Sequence, residues 1–149
     1  MQTKYLLVIV AVLIGGMLSV QGSVNSHLGA FLKHPLQAAF VNFFVGTVAL
    51  FALNVLLRTE VPGTKELMRV PAYLFFGGVL GAIFVTSVVY LIPKIGVSTM
   101  LAASVAGQLI VSSVIDHFGF FNVPVHPFSL GRMGGILLLL TGVFLVQRF

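Results

Sequence analysis

Ser104, Gln108, Ser112 and Asp116 stand four residues apart within an otherwise apolar run, IGVSTMLAASVAGQLIVSSVIDHFG, from Ile95 to Gly119. On an α-helix that spacing stacks the side chains along one narrow stripe. A stripe of hydroxyl, amide, hydroxyl and carboxylate can solvate a polar solute or pass a proton. Gln21 and Asn25 repeat the i, i+4 arrangement in an earlier apolar run, and Asn42 and Tyr90 each add a polar group to two further runs. Neutral amides and hydroxyls coordinate a polar molecule without holding one sign of charge strongly. The set therefore suits a small neutral, zwitterionic or amphiphilic solute. The same amides also serve as hydrogen-bonding glue between helices, and spacing alone does not choose between the two roles.

Other chemistries have no residues to support them. The chain has only three acids. Glu60 and Glu66 fall in a charged connection, and Asp116 stands at the end of its run, at an interface or within reach of a base such as Arg132. No nucleophile is matched with a base, no carboxylates are paired at a fixed spacing, and no G-x-x-x-x-G-K-[ST] loop is present to cradle phosphate. Without cysteine, thiol catalysis and cysteine metal sites are excluded. His117 and His126, nine apart, do not make a metal site. The expectation is a protein that is not an enzyme and uses no metal or cofactor. If protons are coupled to its work, Asp116 or His27 must serve, and both are peripheral in their runs.

Composition dictates what surrounds the polar groups. Of 149 residues, 58% are hydrophobic and 7% are charged, with a mean hydropathy of +1.13. A soluble domain carries about 25% charged residues, so this chain could not cover its surface in water. It must be an integral membrane protein. The net charge of +5 would suggest nucleic acid in a soluble protein. Here the basic residues stand singly between apolar runs, as interface anchors, and no nucleic-acid partner is expected.

The runs resolve into five transmembrane helices at about 5–28, 35–57, 71–93, 96–116 and 131–147, in a single transmembrane domain over 1–149. The first begins like a secretory signal but lacks a cleavage site and reads as a retained helix. Proline opens the second at Pro35 and the third at Pro71, and TEVPGTKELMR between them is a solvated loop. Pro124 and Pro127 keep the stretch before the last helix irregular. The last span is short, with Arg132 and Arg148 able to extend their charges to opposite interfaces. Helix packing is assigned to Gly15, Gly22, Gly46, Gly77, Gly81, Gly131 and Gly135, the pair Gly77 and Gly81 forming a GxxxG. Five crossings place Lys4, Arg58, Lys65, Arg69 and Arg132 on the N-terminal side and Lys33, Lys94 and Arg148 on the other. So small a bias favours a cytoplasmic N-terminus only slightly and is compatible with insertion in both directions. A chain with an odd number of helices obtains an inverted repeat by pairing with an oppositely oriented partner.

VQGSVNSHLG in the first segment, NFFVGT in the second, GGVLGA in the third and AGQLIVSSVIDHFGFF in the fourth resemble the short YdcZ-like, five-helix family of the drug/metabolite transporter superfamily. The likeness spans essentially the whole chain, and GQL…IDHFG is its most specific part. It implies a half-transporter protomer in the bacterial cytoplasmic (inner) membrane. It further implies a homodimer or a pair with a homologous subunit, the path lying between protomers. On that basis Gln21, Asn25, Asn42 and Gln108 match polar positions of the family's motifs. Tyr90, Ser104 and Ser112 complete the candidate path. The four-helix relatives use a glutamate in their first helix; this chain has none there, so their export of multiple drugs or guanidinium is not carried over. A secondary transporter leads, with a passive dual-topology channel or an accessory subunit as alternatives.

Overall fold

A computed structural model describes residues 2–149, and side chains from Tyr5 onward; Lys4, counted above for orientation, lies outside the described side chains. Every regular element described is helical: α1 (Gln2–Leu32), α2 (Pro35–Leu57), the single turn α3 (Thr64–Leu67), α4 (Phe76–Ile95), α5 (Val97–Phe118) and α6 (Leu130–Arg148), with short 3-10 turns at Ala72–Phe75 and Phe120–Asn122. Five of these are long and apolar enough to cross a membrane, all except α3. Their large apolar side chains point outward in great number, from Tyr5, Leu6 and Leu7 through to Leu145 and Val146. That exterior is stable only against lipid or a partner. The protein is an all-α integral membrane protein.

The chain forms two compact units, Met1–Lys94 and Ile95–Phe149. In the first, α1 runs past 28 to Leu32 because nothing in Gly29-Ala30-Phe31-Leu32 interrupts it. The break comes at Lys33, with φ 57, and at His34, held extended ahead of Pro35. His34 Nδ1 accepts the Leu36 amide at 3.2 Å and caps α2, with proline at its first turn. The interior of this unit is built on small residues. A Cβ on Gly22 would lie 3.1 Å from Ile92 Cδ1 and 3.3 Å from Val88 Cγ1, and one on Gly29 would collide with Val89 Cγ1. Ala38, Ala39, Val88, Val89 and Ile92 are buried around this contact. Further along, the Phe43 ring fills the space beside Gly81, 3.3 Å from where a Cβ would stand.

The far end of α2 closes on Arg58 in the left-handed conformation. Thr59 donates to the Asn54 side-chain oxygen. Glu66 accepts the Gly63 amide at 2.9 Å, so this acid shapes the loop that leads into α4. That helix continues through Pro93 to Ile95. Proline there leaves the Val89 carbonyl without its amide partner and crowds that turn, but only Lys94 and Ile95 follow, so the helix loses one bond just before it ends.

In the second unit α5 ends on Gly119 at φ 64, where the chain leaves the helix. The irregular stretch that follows is tied back at both ends. The His126 amide donates to the Asp116 carbonyl at 2.8 Å, and His117 Nδ1 accepts the Phe128 amide at 3.2 Å. Ser129 then caps α6 through the Arg132 amide, also at 3.2 Å.

Candidate functional site

The polar residues of the first unit occupy different surroundings. Asn25 is 4% exposed; it stands between Gly22 and Gly29 on the face of α1 that meets α4. Gln21, four residues before it, is exposed. His27 is exposed too, its ring edge-on to Phe31 with centroids 5.0 Å apart. Asn42 is half-buried on α2. Tyr90 is exposed, with Lys94 Nζ lying 3.5 Å from its ring centroid.

Along α5 the stripe divides. Ser104 is half-buried and donates to the Leu101 carbonyl at 2.9 Å. Gln108, near the middle of the span, is exposed. Ser112 donates to the Leu109 carbonyl at 3.1 Å. Asp116 turns toward α6, where Arg132 Nη1 approaches its Oδ2 at 3.5 Å. Ser112, Asp116, Arg132 and Gly135 line a pocket of about 290 Å³. The sequence reading did not single out Ser113, which is buried and bonded to the Leu109 carbonyl at 2.7 Å. Four residues before it stands apolar Leu109 and four after it His117 at the end of the helix, so it belongs to no run of polar residues like the one through Ser104, Gln108 and Ser112.

The glycines also separate. Gly22 and Gly81 have neighbours within contact distance, whereas a Cβ on Gly15, Gly46, Gly77 or Gly135 would meet nothing within 4 Å. Gly131 has only the Ser129 hydroxyl nearby, at 3.9 Å. Among the described residues no group of three histidine or acidic side chains gathers to hold a metal.

A groove of about 610 Å³ opens on the first unit between the start of α2 and the stripe of α4 from Val79 to Tyr90. Thr86 and Ser87 stand on its wall, each donating to a carbonyl of its own helix at 2.8 Å. This groove had no sequence signature, because it is formed by two segments whose polar groups are few and far apart in the chain.

Residues 6–145 match the family described as "Putative inner membrane exporter, YdcZ". The chain belongs to the YdcZ family. It is 32% identical over 114 residues to the inner membrane protein YdcZ of Escherichia coli (strain K12), covering 76% of this chain and 75% of that protein. No solved structure matches. As a YdcZ-family member with five apolar helices, the protein is integral to the inner membrane and belongs to exporters, not to a family of enzymes.

Proposed function

We propose that the chain is a small secondary transporter of the drug/metabolite type that exports its solute as an antiparallel dimer, the path lying between inverted protomers. The observation that carries this reading is the exposure of Gln21 and Gln108 on membrane-spanning helices. An amide facing hydrocarbon without a partner costs about 2–7 kcal/mol, so each is stabilised by a polar partner. A second copy, or a homologous subunit, provides it. In the antiparallel arrangement one chain generates the inverted repeat by which transporters alternate access. Gln21, Asn25, Asn42 and Tyr90 of the first unit, and Ser104, Gln108 and Ser112 of the second, then offer neutral polar groups with which a small polar or amphiphilic solute exchanges its water. Asp116, held by Arg132, ends the stripe on α5.

The chain's lack of cysteine makes the arrangement directly testable. Single cysteines placed in the Val61–Thr64 loop and at Phe149 are labelled from either side of sealed vesicles. Antiparallel pairing predicts that each site is labelled from both sides. Labelling of each from one side alone overturns the pairing of two identical chains in opposite directions. In liposomes, saturable flux accelerated by solute on the opposite side identifies a carrier, and a non-saturating ionic current identifies a channel instead.

A further inference from the structure

The groove between the start of α2 and α4 has a chemistry of its own. Its length is apolar, with Leu36, Val79 and Ile83 on the walls. The two hydroxyls that interrupt it, Thr86 and Ser87, have spent their protons on the Ala82 and Ile83 carbonyls. The middle of the groove therefore presents no unmet donor to an aliphatic chain. From Val79 to Tyr90 it follows about 16 Å of helix. Polarity is concentrated at one end, where Tyr90 and His34 line the mouth and the Lys94 ammonium lies over the Tyr90 ring.

No described acid pairs with that ammonium. Among the described residues the one ion pair is Arg132 with Asp116. The acids of the first unit, Glu60 and Glu66, lie in the loop that joins the opposite ends of α2 and α4. A cation without an acidic partner at the end of a span, beside an apolar groove open along its side, matches one class of occupant by charge and by shape.

We propose that this groove binds a single-chain anionic amphiphile drawn sideways from the bilayer, its tail along Val79 and Ile83 and its headgroup on Lys94. The site lies within one protomer and shares only Tyr90 with the path proposed above. It is read by binding, without flux, so its failure and that of the transport reading are distinguishable.

The full chain is placed in phosphatidylcholine nanodiscs and offered dodecyl phosphate or the uncharged dodecyl maltoside, with retention measured by native mass spectrometry. Dodecyl phosphate is expected to be retained about tenfold better, the size of one charge-assisted contact. Lys94→Gln removes that preference. Ile83→Trp, which fills the groove, lowers retention of both probes. Val45→Trp, at an exposed position of α2 away from the groove, leaves retention unchanged. Equal retention of the two probes by the unaltered chain overturns the proposal, as does an Ile83→Trp variant that retains them normally. Conversion of dimer to monomer by Ile83→Trp, with retention unchanged, assigns the groove to a protomer seam and also overturns it. Lys94 is exposed, so its variant tests the headgroup contact even if the tryptophan variant does not fold.

Discussion

The Arg132 guanidinium joins two structural tasks: its Nη1 approaches Asp116 Oδ2 at 3.5 Å and donates to the His126 carbonyl at 3.1 Å. Asp116 ends α5 and Arg132 opens α6, so one side chain secures both the helix pair and the irregular stretch between them. Both partners are about one-third exposed, and the charge–charge part is correspondingly small. Asp116→Asn is expected to lower stability by about 1 kcal/mol or less. Arg132→Ala also strips the His126 carbonyl of its donor and should cost about 1–2 kcal/mol. Unfolding titrations in detergent, followed by helix content, rank the two variants; equal effects would leave no role for the His126 contact.

Gly29 and Gly15 occupy one helix yet should respond oppositely to the same change. A methyl at Gly29 collides with Val89 Cγ1, whereas one at Gly15 meets nothing. Gly29→Ala is expected to destabilise the chain by about 1–3 kcal/mol, with partial recovery on adding Val89→Ala. Gly15→Ala should change the stability of the isolated protomer by less than about 1 kcal/mol. Melting temperatures of the three variants check the contrast.

Gly119 is required by conformation and by space. Its φ of 64 lies in the left-handed region, and an added Cβ would stand 2.8 Å from Val125 Cγ2. Gly119→Ala should cost about 1–2 kcal/mol from the backbone alone, and more from the collision. Gly119→Asn tolerates that backbone better, so the difference between the two variants, measured by the same titrations, isolates the conformational share.

Gln108→Leu is expected to leave helix content and melting of the monomer intact, because the side chain is exposed. Its effect should fall on association, weakening the dimer by about 1–2 kcal/mol, the worth of an interhelical amide contact. Sedimentation or single-molecule photobleaching in bilayers measures the shift. Unaltered association together with unaltered flux would reduce Gln108 to a bystander.

The spans were legible because each long run of apolar residues in this chain has one physical solution in a membrane, and charge or proline marks where most runs stop. The third span, expected to end at 93, continues to Ile95, because a proline third from the end costs one bond and leaves no further turn to close. The DHFG run was recognisable as a motif but not as a device. Its meaning depends on Arg132 and Phe128, sixteen residues beyond Asp116 and eleven beyond His117, which no local periodicity connects. The polar stripe of α5 was visible as spacing. Which of its members meets a neighbour was not, because burial is decided by where α6 lies and not by α5 itself. The groove on α4 escaped for the same reason: its other wall comes from the start of α2.

Because the stretch between α5 and α6 is fastened at Asp116, His117 and Arg132, those two helices lack the slack to slide or hinge against one another. Any working motion of the protein must carry them as one lever, with the bending taken up outside this pair. Spin labels at Ser112 and Ile136 should therefore report one fixed separation in every state the transporter visits, while labels elsewhere record the stroke.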